Sequence, residues 1–459
     1  QLFEKQTVKA NNAVSIDDDD FEDGEEVVSY TIQVSRSEAL SGPDAPQWIQ
    51  AEDKERCSLL ARETWRPIGE NDKADLQEIV PCCVILTLKR SGVYKARLVV
   101  LGNRQKFLGA SEIFSPTISH PANRAIMINA AKLGQVVVCW DISNAFVQAS
   151  LKSDEHIFIR LPPEWSASPR GDVVKLLKSL YGLKCAPRKW FDCYATYLRE
   201  QGWTQNVQEP GLWSLPSRTG SGELLLSIYV DDSMLTGPCD REANEWMHRI
   251  LGKFSGKVIA PVVPHDTDGD QWVRYDILGA DFDYCRAKRR MKLSMEGAID
   301  RLLKKFRMTG CRTSKNPCSR NLDLSVGEAS DFPLRQLVGA LLHLQVVCRP
   351  DISFATQKVA RCVSKPTKTA VKAGKQIIAY LAGTKEIGVE YSPQSESDFY
   401  AVYEEIAAKS DVKLGEVVGF SDSDFAGDVV TLKSTSGSIL YLHGTPVCWS
   451  SRRQGIRAV

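Results

Sequence analysis

The sequence lacks any run of eighteen apolar residues and shows no secretory leader at its start. A helix that spans a bilayer needs about twenty predominantly apolar residues, so we predict no transmembrane helix and no membrane partner. An excess of one charge is also missing, because 58 Lys and Arg stand against 57 Asp and Glu. The chain as a whole is therefore neither strongly basic nor strongly acidic.

Spacings typical of metal-binding cysteines are absent as well. Thirteen Cys and six His are scattered along the chain without a Cys-x-x-Cys pair. A structural zinc site needs four closely spaced Cys or His ligands, so no zinc site is predicted. We interpret the cysteines as buried, reduced thiols of a protein in a reducing compartment.

One compositionally biased segment lies near the start of the chain, where eight of the ten residues from 17 to 26 are acidic. Such a segment cannot bury a core, so residues 1–35 are predicted to be a disordered acidic linker. Without residues 1–30 the chain carries 56 basic against 48 acidic side chains, a net charge of +8. That balance is compatible with binding the phosphates of a nucleic acid.

The most informative feature present is a pair of adjacent aspartates, Asp231 and Asp232. Residues 224–230 before them are apolar enough to form a buried strand, and residues 233–236 can return as its hairpin partner. Two carboxylates on a tight turn repel each other unless divalent cations neutralise them. Mg²⁺ prefers such oxygen ligands. An aspartate pair on an ordinary surface turn remains the alternative.

A third carboxylate ends another apolar segment, residues 136–140, which is followed directly by Asp141. One strand that supplies one aspartate and a later hairpin that supplies two more predict the two-metal site of a palm-type polymerase. One metal ion would activate the 3′-hydroxyl of a primer and the other would hold a triphosphate. The alternative for Asp141 is a strand end that faces solvent.

Further segments follow in a set order, and together they point to one family. In chain order these segments are YKARLV at 94–99, FSPT at 114–117, DISNAF at 141–146, SLYGLKCAPRKW at 179–190, YVDD at 229–232, LG at 278–279, LVGALL at 337–342, RPDISFA at 349–355 and STSG at 434–437. In this order and at these spacings they resemble the reverse transcriptase of Ty1/copia-type retrotransposons, over roughly residues 36–459.

The resemblance implies Asp141, Asp231 and Asp232 as the catalytic metal ligands, with two Mg²⁺ ions that Mn²⁺ can replace. Its substrates would be deoxynucleoside triphosphates and a DNA primer on an RNA or DNA template. Other Gag and Pol segments of the element would be partners. The expected location is intracellular, in cytoplasmic virus-like particles, with a nuclear location left open. The start at Gln1 rather than Met suggests a segment of a longer polyprotein.

Five residues are implied to contact the incoming nucleotide. Lys95 and Arg97 resemble the cations that meet the triphosphate, although charged residues that alternate with apolar ones are also typical of an ordinary strand face. Phe146 takes the position at which an aromatic ring excludes a ribose 2′-hydroxyl, although by composition it is equally a core residue. Gly182 and Lys184 resemble the loop beneath the templating base.

A second group is implied to hold the nucleic acid. Gly279 lies in a Leu-Gly turn that resembles the hairpin gripping the primer end, although the pair by itself predicts only a turn. Arg289 and Arg290 precede an amphipathic segment that carries Lys304 and Lys305. We predict a thumb helix against the duplex backbone there. A solvated helix whose apolar residues face the core is the alternative.

The fold class implied is α+β, a right-hand polymerase with fingers, palm and thumb, an antiparallel palm sheet and a helical connection. The predicted boundaries are a linker at 1–35, fingers, palm and thumb at 36–320, the connection at 321–414, and a truncated ribonuclease H-like α/β domain at 415–459. Asp422 would be the first ligand of that last domain, whose further carboxylates are not in this chain. Ribonuclease H activity is therefore not expected, and removing residues 415–459 is expected to leave polymerisation intact.

Three positions depart from the usual family pattern: Ser143 stands in place of Lys, Cys185 in place of Gln, and Phe425 in place of Trp. None of them is a predicted metal ligand. They keep two alternatives open beside the active RNA-directed DNA polymerase. One is a catalytically decayed nucleic-acid-binding fragment, and the other is a structural segment of the polyprotein.

Overall fold

The computed structural model describes residues 32–70, 72, 78–88, 92–105, 113–152, 154–263, 271–319, 324, 327–409, 414–428 and 431–457. Most of the predicted acidic linker lies outside these ranges. Residues 32–34, at its end, form a strand, so regular structure begins inside the segment predicted as linker. Across the described ranges, no helix combines the length and apolar character needed to cross a membrane.

The described residues form a mixed α+β fold with several sheets, which agrees with the predicted class. The helices are α1 (Arg36–Ser41), α2 (Ala45–Ala61), α3 (His120–Leu133), α4 (Ala186–Glu200), α5 (Asp240–Lys253), α6 (Glu296–Lys305), α7 (Leu334–Val347), α8 (Ser353–Ala360), α9 (Lys368–Ala382) and α10 (Pro393–Ala408). The first strands are β1 (Ile32–Val34), β2 (Trp65–Pro67), β3 (Ile79–Leu88), β4 (Tyr94–Val100), β5 (Val136–Ile142), β6 (Phe158–Arg160), β7 (Val173–Leu176), β8 (Thr204–Gln205), β9 (Leu212–Pro216) and β10 (Glu223–Tyr229). The remaining strands are β11 (Asp232–Gly237), β12 (Gly256–Ile259), β13 (Val273–Ile277), β14 (Ala280–Cys285), β15 (Arg290–Ser294), β16 (Val389–Tyr391), β17 (Val417–Ser423), β18 (Lys433–Leu442) and β19 (Thr445–Arg457).

These elements belong to two compact units that the chain enters more than once. Unit 1 comprises residues 1–117, 142–204 and 253–255, and unit 2 comprises residues 118–141, 205–252 and 256–459. The sequence-predicted boundaries at 320 and 414 both fall inside unit 2. Each unit therefore draws on more than one segment of the sequence.

Unit 1 is built on a six-stranded sheet in the order β1-β3-β6-β7-β2, with β4 paired to β3. The β3–β4 pair is antiparallel from Cys82↔Val100 to Leu88↔Tyr94. Helix α2 covers this hairpin, and Trp48 on the helix packs edge-on against Tyr94 with ring centroids 4.6 Å apart. Helix α2 therefore covers one face of the hairpin, and alternate residues of β4 lie on the other face.

Unit 2 contains the sheet that carries the predicted aspartates, in the strand order β12-β5-β11-β10-β9-β8. Its central strands are nearly continuous apolar runs because both faces are covered, so Leu224, Leu226 and Leu235 are fully buried. Helix α3 ends at Gly134, whose φ of 63° is the left-handed conformation that favours glycine as a helix terminator. The predicted strand, and the predicted hairpin that follows it, are confirmed as β5, β10 and β11.

Two further sheets complete unit 2. The first has the order β13-β14-β15-β16, and the second is the antiparallel meander β17-β18-β19. The meander begins at Val417 and ends at Arg457. Helices α7 and α9 supply the helical structure predicted for the connection.

Candidate active site

The aspartate pair lies on a two-residue turn between β10 and β11. Tyr229 and Asp232 are paired across this hairpin, so Val230 and Asp231 form its tip. Val230 has a φ of 55°, a left-handed conformation that is rare for a β-branched residue. Such backbone costs of order 1–3 kcal/mol and is found most often at functional sites. The turn is therefore held in one conformation by the strands on either side of it.

Strand β11 also pairs with β5, and this register brings the third carboxylate to the site. Asp232 lies directly opposite Asp141 in an antiparallel pair. Side chains of opposed residues point to the same face of a sheet, with Cβ atoms about 4.5–5.5 Å apart. All three aspartates are half-buried. Residues ninety positions apart in the sequence are thus neighbours, as the sequence predicted for a shared metal site.

The donor set at this hairpin consists of carboxylate oxygens, which fits a hard divalent cation such as Mg²⁺ better than zinc. The neighbouring Cys139 is buried, and burial together with the Asp232 carboxylate raises the pKa of its thiol. A neutral thiol does not compete as a ligand. Among the described residues, no group of three or more His, Cys, Asp or Glu side chains is arranged so that it could hold a metal ion. The arrangement suits an ion that takes one or two carboxylates and completes its shell with substrate phosphates.

A shallow, open pocket lies beside the β10–β11 hairpin within unit 2. Its lining residues are Ile118, Asn123, Cys139, Ser227, Tyr229, Asp232, Ser233, Met234, Ile259, Asp276, Ile277 and Leu278. Leu278 and Gly279 form the two-residue turn between β13 and β14, with φ values of 53° and 73°. Positive φ at both positions favours glycine and defines a tight hairpin. The Leu-Gly turn predicted to grip a primer therefore lies next to Asp232.

Helix α3 supports the catalytic hairpin from behind. The Ser227 hydroxyl on β10 donates to Oδ1 of Asn123 on α3 at 3.2 Å, and both side chains are buried. Just before the helix, the N–H of Ile118 donates to the carbonyl of Ile228 at 2.9 Å. These bonds fix β10 within two residues of the turn. The position of the aspartates therefore depends on α3 as well as on the sheet.

In unit 1, the residues predicted to meet the nucleotide are brought together by an aromatic ring. Lys95 and Arg97 lie on one face of β4, and the residues between and after them, which are buried, lie on the other face. The Arg97 guanidinium carbon lies 5.9 Å from the centroid of the Tyr181 ring. Tyr181 in turn meets Phe146 edge-on, with centroids 5.0 Å apart and planes at 73°. The sequence did not single out Tyr181, although it directly precedes Gly182 in the matched motif.

Gly182 fixes the loop that carries this ring. Its φ is 84°, and a Cβ built there would lie 2.0 Å from the carbonyl oxygen of Val100. The N–H of Val100 donates to the carbonyl of Tyr181 at 2.8 Å. Lys184 donates its backbone N–H to Oε1 of Gln105 at 3.2 Å and its ammonium group to the Gln105 carbonyl at 3.3 Å. Only glycine permits this close approach of the loop to β4.

Phe146 lies in a short 3₁₀ helix that follows Asn144, whose φ is 52°. The Asn144 side chain donates to the Ser58 hydroxyl at 3.1 Å, which stabilises this left-handed residue. Phe146 packs against the apolar core of unit 1 but is only partly buried. Phe146 is therefore in part a core residue, as the alternative interpretation holds, and part of its side chain remains accessible.

Glu55 on α2 is a residue that sequence reasoning missed. Its side chain is 7% exposed, and burial raises the pKa of its carboxyl. The positive charges of Lys95 and Arg97 lower that pKa. A buried acid behind the two cations of β4 carries no sequence signal, because Glu55 lies in an unremarkable charged helix. It contributes negative potential to the strand that presents both cations.

The residues predicted to hold nucleic acid lie on separate elements of unit 2. Arg289 and Arg290 are exposed at the turn between β14 and β15, and the Arg290 guanidinium lies 5.4 Å from the Trp272 ring centroid. Lys304 and Lys305 are exposed in the last turn of α6, a position where cations also stabilise the helix dipole. Their placement agrees with both alternatives considered for them.

Asp422 lies on β17, opposite Gly437 on β18, and is exposed. One of its carboxylate oxygens accepts the N–H of Ser423 at 2.7 Å. The residue is thus on a strand, as predicted from the sequence. Its role as a metal ligand stays a prediction.

The chain has a mixed α+β fold with opposed aspartates on one sheet, and comparison with known proteins gives its family. The family model for reverse transcriptase (RNA-dependent DNA polymerase) matches residues 76–320. This is more than half of the chain, so the chain belongs to that family. Its members use divalent metal ions. Every predicted site residue except Asp422 lies inside the matched range.

Curated relatives extend the likeness beyond that range. The retrovirus-related Pol polyprotein from transposon TNT 1-94 of Nicotiana tabacum is 29% identical over 92% of this chain and 30% of its own length. The corresponding polyprotein from transposon RE1 of Arabidopsis thaliana is 28% identical over 93% of the chain and 27% of its own length. The transposon Ty1-DR1 Gag-Pol polyprotein of Saccharomyces cerevisiae is 24% identical over 94% of this chain and 23% of its own length. The chain thus spans less than a third of these relatives, and the Ty1/copia resemblance is confirmed.

Proposed function

We propose that this chain is the RNA-directed DNA polymerase of a Ty1/copia-type retrotransposon and extends a DNA primer by two-metal nucleotidyl transfer. The observation that carries the proposal is the register of β5 and β11, which places Asp141 opposite Asp232 beside the Asp231 turn. The DNA primer on its RNA or DNA template and the deoxynucleoside triphosphates are the proposed substrates. Other Gag and Pol segments, inside intracellular virus-like particles, are the proposed partners.

For the same elements we propose a right-hand polymerase architecture. The sheet with β5, β10 and β11 would be the palm, and the β3–β4 hairpin of unit 1 would belong to the fingers. Helix α6 would face the duplex as part of the thumb, and α7 to α9 would form the connection. The strands β17 to β19 would begin a ribonuclease H-like domain. Support for these assignments comes from the strand order and from the positions of the family motifs.

Each side chain then has a defined part in the reaction. Asp141, Asp231 and Asp232 would hold the metal ions, which when bound lower the pKa of the primer hydroxyl and neutralise the triphosphate. Arg97 would meet the triphosphate, since a guanidinium binds phosphate oxygens in a bidentate way. Phe146 would exclude a 2′-hydroxyl by contact with the sugar.

Decay of the site is the second candidate, and the family departures bear on it. Cys185 is buried in the core of unit 1, and Phe425 is 80% exposed. Neither belongs to the aspartate hairpin. The third departure, Ser143, directly follows β5 and lies two residues after Asp141, so the choice between an intact polymerase and a fragment that only binds nucleic acid rests on primer extension.

The direct test is primer extension by the purified chain on primed poly-rA with deoxythymidine triphosphate. We expect extension with Mg²⁺ or Mn²⁺ and none with excess chelator, because opposed carboxylates need a divalent cation to bind a triphosphate. Duplex binding is measured in parallel by fluorescence anisotropy. Binding without extension under any metal would identify the decayed fragment, and loss of both would identify a structural segment.

We expect Phe146→Val to admit ribonucleotides while use of deoxynucleotides persists. A smaller side chain leaves room for one hydroxyl, and contacts of this size change selectivity by about 10- to 100-fold. The measurement is the ratio of kcat/KM for deoxythymidine and uridine triphosphates. Phe146→Tyr keeps the ring and is the matched control, which should retain the wild-type ratio. An unchanged ratio in Phe146→Val would show that Phe146 serves only the core.

A further inference from the structure

Tyr181 stands between the two nucleotide-contacting residues of unit 1 that act on different parts of the substrate. The Arg97 guanidinium lies over its ring, 5.9 Å from the centroid. Phe146 meets the same ring edge-on, with centroids 5.0 Å apart. A cation within about 6 Å of a ring face is attracted to it, and edge-on ring pairs prefer this separation. Tyr181 therefore contacts both Arg97 and Phe146.

The backbone beneath this ring is fixed in place. Leu180 and Leu183, on either side of it, are buried in the core of unit 1. The Tyr181 carbonyl accepts the N–H of Val100, and Gly182 lies so close to β4 that a Cβ has no room. The backbone at Tyr181 therefore cannot slide along β4 without breaking these contacts.

Arg97 depends on this ring more than on any acid. Within the described residues, no carboxylate is close enough to form an ion pair with its guanidinium. Glu55 influences it only at longer range, from behind the strand. A long side chain without an ion-pair partner samples many rotamers, so a ring face that attracts it narrows that range before substrate binds.

We propose that Tyr181 is a positioning residue that sets the deoxynucleotide preference of this site by coupling Arg97 to Phe146. This inference rests on the proposed function and adds to it. When Arg97 binds the triphosphate, the Tyr181 ring moves with the guanidinium and presses Phe146 into its place against the sugar. Binding of the phosphates and exclusion of the 2′-hydroxyl are therefore coupled. Without the ring, each residue acts alone and both grip and selectivity weaken.

The test measures binding rather than turnover. The chain is assembled with Mg²⁺ and a dideoxy-terminated primer on poly-rA, and the affinities for deoxythymidine triphosphate and uridine triphosphate are compared. We expect Tyr181→Leu to weaken deoxythymidine triphosphate about tenfold and to reduce the preference over uridine triphosphate about tenfold, the size expected for losing one cation contact and one ring pair. Tyr181→Phe keeps the ring and should match the wild type.

The chain offers a matched control for loss of a ring pair. Tyr197 on α4 meets Phe254 edge-on at 5.3 Å, also within unit 1. Tyr197→Leu removes the same kind of contact without touching a nucleotide residue, so both affinities should stay at the wild-type value. Thermal unfolding of every variant shows whether the fold is retained. If Tyr181→Leu does not fold, Tyr181→Phe and Tyr181→Trp carry the comparison, and Tyr181→Trp should keep affinity and change the sugar preference.

A double variant separates coupling from simple packing. If Tyr181 acts through Phe146, adding Tyr181→Leu to Phe146→Val should reduce the preference no further than Phe146→Val alone. Multiplicative losses, or wild-type affinities in Tyr181→Leu, would overturn the inference. If the wild-type chain forms no ternary complex, the proposed function itself is overturned. If the wild type prefers deoxythymidine triphosphate over uridine triphosphate and Tyr181→Leu shows the same preference, only the inference about Tyr181 is overturned.

Discussion

Asp231→Asn is expected to slow primer extension by about 10³-fold or more while the chain still binds primer and template. Losing one carboxylate removes a charge on which the metal ions depend, and those ions contribute several kcal/mol to the transition state. The residue lies on the tip of the β10–β11 hairpin, whose strands are paired on both sides. The change of one atom at the tip leaves that pairing intact. Single-turnover extension and anisotropy measure the two effects separately.

Glu223→Gln is the matched control for this variant. Glu223 begins the same strand, β10, and is exposed at the end away from the turn. The same change from carboxylate to amide there should leave extension at the wild-type rate. Equal extension by Asp231→Asn and Glu223→Gln would refute the metal site. Equal slowing of both would point to damage of the strand instead.

Arg124→Met is expected to lower the stability of unit 2 by about 3 kcal/mol or more. Arg124 on α3 is 3% exposed and donates to the carbonyls of Val346 at 2.6 Å, Val347 at 2.8 Å and Val447 at 2.9 Å. Its guanidinium also lies 4.1 Å from the Trp449 ring centroid. A methionine fills the space but leaves three buried acceptors without a donor, which costs about 1–3 kcal/mol for each. The midpoint of urea unfolding measures the loss.

The guanidinium remains charged in this buried place. Burial lowers the pKa of Arg124 to about 10, so the side chain is still protonated at neutral pH. Two of its acceptors are the last carbonyls of α7, which have no partner within the helix and carry its negative dipole end. The charge is thus stabilised by main-chain oxygens and a ring.

Arg241→Met is the control, because Arg241 is an exposed arginine of α5 that pairs only with Glu245 one turn away. Its loss should change stability by no more than about 0.5 kcal/mol. Identical urea midpoints for the two variants would contradict the prediction.

Ending the chain at residue 414 removes Val447 and Trp449 together. Loss of these two contacts of Arg124 is expected to lower the stability of the shortened chain, and its retention of polymerisation stays a prediction.

Local patterns in the sequence were sufficient to predict the strands that carry the aspartates. Residues 136–140 and 224–230 are apolar and β-branched runs that end on aspartates, and they form β5 and β10. A strand of this kind is specified by its own residues, since every second side chain must fit a buried face. The motifs around them identified the family, and their order gave the roles of the aspartates as predictions.

Local patterns could not give the contacts that link distant segments. Tyr181 was passed over because an aromatic residue beside a glycine has many possible partners, and only the close approach of Gly182 to Val100 selects Arg97 and Phe146. The predicted linker extended too far because Ile32–Val34 is a strand only through its pairing with β3. Three residues have no preference strong enough to be read without their partner.

The sequence by itself determined the family, the carboxylates and the elements that carry them, because those depend on residue type and spacing along one strand or turn. The tertiary structure decided which of these groups meet. Asp232 faces Asp141 through a strand register. The charge of Arg124 is stabilised by carbonyls of α7 and β19. Every residue has a carbonyl, so no sequence pattern marks the ones that accept a buried charge, and only packing of the chain selects them.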